Sequence, residues 1–231
     1  MYHSVKRLLL PLAAARGFSG CSGGNVRMHV QETAYETDNV LVSIECPQFS
    51  IPHGQAYEDE INQQCIDEMD SCLREFEKIS QTQHPEQEKC QLRTQARLTY
   101  GNNGLLSFYT ERYVFTEGVH GSKTRSARTF DLNQKKQLTL ADLFANESYR
   151  TLLNQLVAEI LRKNPEDYHD LWENPVIGNL HETCFYLSEK GLVLYFPPYE
   201  LSYYARGFVE FTIPYSSIAS YLKPDYRILF D

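Results

Sequence analysis

Little in this sequence carries familiar catalytic chemistry. No H-E-x-x-H, P-loop or dinucleotide fingerprint occurs in its 231 residues, so metalloprotease, nucleotide and Rossmann chemistries lack their usual carriers. None of the six cysteines form C-x-x-C, which excludes a zinc knuckle and a thioredoxin-type motif. No apolar run reaches the length of a membrane span. Basic residues are the minority, 22 against 30 acidic, for a net charge of −8. A phosphate-binding face needs the opposite balance, so nucleic acid is not expected as a partner. Tryptophan occurs once, against 16 tyrosines and 12 phenylalanines. That Tyr-rich profile suits β-sheet surfaces and binding faces. Hydrophobic residues make up 42% and charged residues 23%, an ordinary globular balance and not a disordered one. No cofactor and no metal is expected.

The first residues read as an export signal. Lys6 and Arg7 precede Leu8-Leu9-Leu10-Pro11-Leu12-Ala13-Ala14-Ala15, a basic start followed by a short apolar stretch. Small residues then lead into Cys21, in the manner of a bacterial lipobox whose cysteine is lipidated after cleavage. Arg16 and Phe18 fit that pattern badly. A plain signal peptide or a cytosolic tail is the competing reading. The expected division is a signal over 1–21, with Cys21 as the lipid attachment site, and a Ser/Gly tether over 22–28. Residues 1–21 hold three basic residues and no acidic one, so removing them takes the net charge from −8 to −11. Gly20-Cys21-Ser22-Gly23-Gly24 formally fits G-x-S-x-G, but that motif needs a strand before it and a helix after it.

Beyond the tether the pattern alternates between strand and helix. Val30 to Tyr35 suggests a first strand. Val40, Val42, Ile44 and Cys46 alternate with polar residues as a second, ended by Pro47 and Pro52. Tyr57, Ile61, Cys65, Met69, Cys72, Phe76 and Ile79 recur at steps of three and four. They predict an amphipathic helix over 56–79 with an acidic outer side from Glu58 to Asp70. Leu92 to Tyr100 and Leu106 to Val114 flank Gly101-Asn102-Asn103-Gly104, a hairpin signal. Thr124 to Leu132 follows as a strand. Further on come a helix from Tyr149 to Arg162, with Leu152, Leu153, Leu156, Ile160 and Leu161 inward, and a hairpin around Ser188-Glu189-Lys190-Gly191. A last strand runs from Phe208 to Ile213, and a helix opened by Pro214 follows. The expected fold class is α+β, two antiparallel sheets each packed against helices on one side. The expected modules are 29–117 and 118–231.

A set of motifs recurs in order along the second half. They are Gly118-Val119-His120-Gly121, Thr129-Phe130-Asp131-Leu132 and Leu138-Thr139-Leu140-Ala141-Asp142-Leu143-Phe144. Then come Phe185-Tyr186-Leu187, Gly191-Leu192-Val193-Leu194-Tyr195-Phe196 and Tyr199-Glu200-Leu201-Ser202-Tyr203-Tyr204-Ala205-Arg206-Gly207. Ile213-Pro214-Tyr215-Ser216-Ser217-Ile218 closes the set. Their order and spacing resemble the extracytoplasmic domain shared by RsiV-type anti-sigma factors and the non-catalytic part of PdaC-type peptidoglycan deacetylases. Residues 30–112 resemble the companion module that precedes that domain. The chain shows neither the internal membrane span and cytosolic segment of the anti-sigma factor nor room for a deacetylase domain.

Physically, these motifs read as determinants of fold. The glycines flanking His120 turn the chain where a β-carbon would not fit. Tyr199 opens a helical turn and Gly207 releases it into a strand. Gly118, His120, Gly121, Tyr199 and Gly207 are therefore assigned structural roles. His120 has a competing reading as an acid–base partner of Glu200 or Asp131. His169-Asp170 and His181-Glu182 offer metal-ligand types but, as two pairs on loops, are read as solvated surface, and Asn146-Glu147-Ser148 is a glycosylation sequon where the host glycosylates exported chains.

Two function classes remain. One is an exported, non-catalytic binding protein of the cell envelope, touching the membrane only through a lipid on Cys21. RsiV-like domains bind lysozyme, so the resemblance implies lysozyme or another cationic wall-active protein as partner, which an acidic surface would attract. The other is a hydrolase acting on peptidoglycan or another polysaccharide through an unrecognised site. The helix assignment carries a test. Cys65 and Cys72 lie about 10 Å apart along a helix axis, while a disulfide needs α-carbons within roughly 7 Å. Mass mapping of the folded monomer should find no Cys65–Cys72 link, and finding one would refute the helix.

Overall fold

The computed structural model describes residues 26–52, 55–82, 89–172, 175–176 and 181–230. The expected signal, tether and Cys21 lie outside the described residues. The chain is α+β, with a six-stranded and a three-stranded sheet. The larger sheet takes its strands in chain order: β1 (Arg27–Glu36), β2 (Val40–Ser50), β3 (Cys90–Asn102), β4 (Leu105–Phe115), β5 (Ser122–Asp131) and β6 (Lys136–Leu138). The smaller joins β7 (Phe185–Ser188), β8 (Gly191–Phe196) and β9 (Val209–Ile213). Helices α1 (Gln55–Ser80), α2 (Tyr149–Lys163) and α3 (Tyr215–Ile218) complete the inventory with several 3-10 turns. Two compact units emerge. One takes the described residues up to Arg97 with Thr110–Arg125, the other Leu98–Tyr109 with Ser126–Asp231, so the divisions fall within β3, β4 and β5. Gly118 lies in the first unit, between β4 and β5.

In the first unit β1 and β2 form an antiparallel ladder from Arg27↔Ser50 to Glu36↔Leu41. Helix α1 then carries the chain back, so β3 runs parallel to β2 over Val40↔Cys90 to Ser43↔Arg93. This one ladder departs from the all-antiparallel expectation. The physical reason is the crossover, since a helix between two strands returns the chain to the end where it started. Past Ser43 side chains take over from the ladder. Thr94 Oγ1 accepts the Glu45 N–H at 2.9 Å and donates to the Glu45 carbonyl at 3.1 Å, and the Ala96 N–H reaches Glu45 Oε2 at 3.0 Å. Pro47 does not end β2 as expected. The Glu45 N–H points away from β1, so by alternation the position of Pro47's missing N–H does too, beyond the reach of the parallel ladder.

Helix α1 is tied lengthwise to β2. Asn62 both accepts the Phe49 N–H at 2.7 Å and donates to its carbonyl at 2.9 Å, and Glu58 accepts the Ile51 N–H at 2.5 Å. Its buried stripe is Tyr57, Ile61, Cys65, Met69, Cys72 and Phe76, as the spacing predicts. Ile79 departs from it. In the last turn it is 45% exposed, and Ser80 takes the inward place with its hydroxyl on the Glu77 carbonyl. Cys46, Cys65, Cys72 and Cys90 are buried thiols.

In the second unit every residue of β8 is buried. Leu192, Leu194 and Phe196 join the core that α2 covers with Tyr149, Leu153 and Val157. That seam sits to one side of the expected one, and Leu152, Leu156, Ile160 and Leu161 are only partly buried at its rim. On its other face Val193 and Tyr195 pack with Tyr186 and Ala127, flanked by Tyr109 and Phe208. The turn before β8 demands glycine at 191. Its φ is +154°, and a β-carbon there would stand 2.2 Å from the Ile213 carbonyl oxygen. The Asn103-Gly104 turn has two positive φ values, 52° and 74°, the primed geometry that suits strand twist. Ser107 Oγ lies 2.9 Å from Thr129 Oγ1 and accepts the Leu187 N–H at 3.0 Å.

Phe76 is 2% exposed, so Phe76→Ala should cost about 3–5 kcal/mol in equilibrium unfolding. A cost below about 1 kcal/mol would contradict its place in the core.

Candidate functional site

The chain leaves the buried β8 at Phe196 through Pro197-Pro198, which cannot continue a ladder. Tyr199 then adopts φ +69°. A bulky side chain rarely occupies that region, and holding it there costs of order 1–3 kcal/mol. The Glu200 N–H closes the turn on the Pro197 carbonyl at 3.1 Å. Leu201 and Ser202 point inward and are buried, while Tyr203 turns out. A 3-10 turn over Tyr204–Arg206 ends at Gly207, whose φ is +77°.

A second segment braces this loop. Arg206 pairs with the Asp170 carboxylate, donates to the Asp167 carbonyl at 2.5 Å, and lies over the Tyr168 ring at 5.6 Å. Ser202 Oγ donates to the Asp170 carbonyl at 3.0 Å, and the Trp172 N–H to the Leu201 carbonyl at 2.9 Å. Tyr168 stacks on Phe211 of β9 at 5.1 Å and donates to the Glu210 carbonyl at 3.1 Å. Burial works against ionisation of Asp170. The facing Arg206 charge, with hydrogen bonds to the carboxylate, outweighs it and holds the carboxyl below the ordinary aspartate range. What the bracing displays is apolar. Trp172 is 58% exposed, Tyr199 55% and Tyr203 48%. The Tyr199 and Tyr204 rings sit 5.6 Å apart. Rigid aromatic side chains held out of the core by a braced loop are suited to anchoring a protein partner, because they bring large contact area at little entropic cost.

The other motif residues lie in the first unit, in the loop after β4. Gly118 has φ +87°. A β-carbon on Gly121 would stand 2.5 Å from the Tyr113 ring and 2.6 Å from the Val114 carbonyl oxygen. His120 is exposed, its Nδ1 3.0 Å from the Gly121 carbonyl oxygen. Between them Val119 is fully exposed. Asp131, read as a possible partner of His120, accepts the N–H groups of Asn133 and Gln134, each at 2.9 Å.

Neither His–acid dipeptide is plain solvated surface. Asp170 serves Arg206, and Glu182 accepts the Ala141 N–H at 2.9 Å, the Tyr149 hydroxyl at 3.1 Å and Arg150 at 2.5 Å. The histidines beside them turn to local oxygens, His169 to the Glu166 carbonyl and His181 to the Thr183 hydroxyl. Among the described residues no group of three His, Cys, Asp or Glu side chains could hold a metal ion, and no helix is long and apolar enough to cross a membrane. Sequence reasoning missed Trp172, Tyr203 and the Asp170–Arg206 brace. The one signal for them was a lone tryptophan placed in a polar stretch.

Residues 33–123 match the family model described as deacetylase PdaC, and residues 141–216 the one described as protein of unknown function DUF3298. A DUF3298 family member from Bacteroides fragilis superposes with a TM-score of 0.68 at 17% identity, covering 90% of this chain and 97% of its own. A DUF3298 family protein from Pseudomonas aeruginosa gives 0.61 at 18% identity, covering 89% and 97%. At these identities the likeness is one of fold. Comparison with curated proteins gives no match.

Trp172 is the chain's single tryptophan, so its emission reports the brace directly. Asp170 is depressed in the folded state, so its contribution is complete above the ordinary aspartate pKa of about 3.9 and is lost as pH falls through the lower folded value. Acid titration should shift Trp172 emission below about pH 4. Asp170→Asn should show the shifted emission already at neutral pH, with no acid step. Identical titrations for both proteins would mean that the pair does not hold the loop.

Proposed function

We propose that this chain, which carries an RsiV-like, PdaC-associated domain, is a non-catalytic binding protein of the bacterial cell envelope, held at the membrane by a lipid on Cys21. Its partner in this reading is lysozyme or another cationic wall-active protein. The observation that carries the reading is the display of Trp172, Tyr199 and Tyr203 on a loop fixed by Arg206 and Asp170. Tyr199 keeps an unfavourable backbone angle while its ring stays exposed, and strain of this kind clusters at functional sites. The net charge of −8 supports a basic partner, since an acidic surface speeds its encounter at low salt. The deacetylase named for the model over residues 33–123 describes relatives with that chemistry.

Calorimetry of residues 22–231 against a panel of lysozymes should give heat at low salt and slower, weaker association at physiological salt. Tyr199→Ala or Trp172→Ala should weaken binding about tenfold or more, as loss of an aromatic anchor does. No heat with any member at either salt removes lysozyme as the ligand. Release of reducing sugar or acetate from purified peptidoglycan, abolished by His120→Ala, would establish the hydrolase reading instead.

A further inference from the structure

Strand β1 is an edge strand of the larger sheet. It has ten residues, and none of them is buried. A strand of that length contributing no side chain to a core draws its stability from backbone pairing, and β1 has that pairing on one side only among the described residues. Of the usual protections of an edge it has only the charges of Arg27, Glu32 and Glu36. It contains no proline, glycine or lysine, and its register with β2 is continuous, without a bulge. Such an edge is a template for another strand.

The backbone decides which strand fits. The N–H groups of Glu45 and Phe49 are used by Thr94 and Asn62, on the side of β2 away from β1. Glu45 faces Glu32 and Phe49 faces Met28. In an antiparallel ladder, residues that face each other turn the same way. Met28, Val30, Glu32, Ala34 and Glu36 therefore direct their backbone groups to the open edge. A second antiparallel β1 must set outward residues against outward residues, which leaves every other register. The two that overlap most of the strand differ in charge. One sets Glu32 against Glu32 of the second copy, a like-charge pair that opposes association. The other sets Gln31 against Gln31, Arg27 against Tyr35, His29 against Thr33 and Met28 against Ala34, with no like charges opposed.

We infer that β1 pairs with β1 of a second copy of this chain, antiparallel, with Gln31 facing Gln31 across the two-fold axis. The two six-stranded sheets then continue into one. Met28 with Ala34 and Val30 with Glu32 exchange the new backbone hydrogen bonds, and Arg27 lies against the ring of Tyr35 at each end. The pairing uses no residue of the aromatic loop.

Cross-linking tests the register. In the full chain with Cys21→Ser, Gln31→Cys, Glu32→Cys and Thr33→Cys are each exposed to oxidised glutathione and run on non-reducing gels. Facing residues of a non-hydrogen-bonded pair have α-carbons about 4.5 Å apart, within disulfide reach. Gln31→Cys should give a cross-linked dimer at least tenfold above the other two. Equal or greater yield from Glu32→Cys or Thr33→Cys would overturn the register. Sedimentation velocity of the full chain should show dimer growing with concentration. Ala34→Pro, which removes an outward N–H and leaves the β2 ladder intact, should weaken that dimer at least tenfold without changing the thermal melt. A monomer at every concentration with no cross-link would overturn the proposal, and would leave the edge to the segment before Val26 or to a different protein.

Discussion

Strand β8 is buried on both faces, and much of the second unit follows from that constraint. A strand with no solvated side must be covered twice. Leu192, Leu194 and Phe196 are sealed by Tyr149, Leu153 and Val157 of α2, and Val193 and Tyr195 by a tyrosine-rich cluster with Tyr186 and Tyr109. Covering both faces fixes the two ends of the strand. At the near end the turn is so tight that only Gly191 fits beneath the Ile213 carbonyl. At the far end the chain must emerge abruptly, and it does so through two prolines into the strained Tyr199. The aromatic loop is thus anchored by a core it does not itself enter, apart from Leu201.

The brace works in the same economy. Arg206 is held by a carboxylate, a carbonyl and the face of a ring, three kinds of contact that a lysine could not make together. Because Tyr168 is stacked on Phe211 of β9, the brace refers the loop back to the same sheet that launches it. The loop's geometry is therefore over-determined, which is what permits an unfavourable backbone angle to persist.

Much of the fold was legible because local pattern and tertiary environment agree. The stripe from Tyr57 to Phe76 has helical spacing and meets a sheet. Asn103-Gly104 and Gly191 sit where a turn needs them. The parallel ladder between β2 and β3 was not legible, since direction is set by where a helix returns the chain and not by alternation within a strand. Strand β6 is three residues long, too short to show a period. The aromatic site was half visible. Tyr199 was picked out by its motif, but a motif does not say whether a ring points in or out. That depends on φ, and on Asp170, which lies far off in sequence and beside a histidine that suggested other chemistry.

The distribution of sulfur has a practical consequence. Four thiols, at Cys46, Cys65, Cys72 and Cys90, are sealed in the first unit, while the second holds the half-buried Cys184. Burial pushes the Cys46 and Cys90 thiols above the ordinary cysteine range, although hydrogen bonds partly offset it. Sealed from solvent, all four are closed to alkylating reagents until the helix lifts from its sheet. The rate at which iodoacetamide enters those four positions, mapped peptide by peptide, therefore clocks the opening of one half of the molecule without any engineered probe.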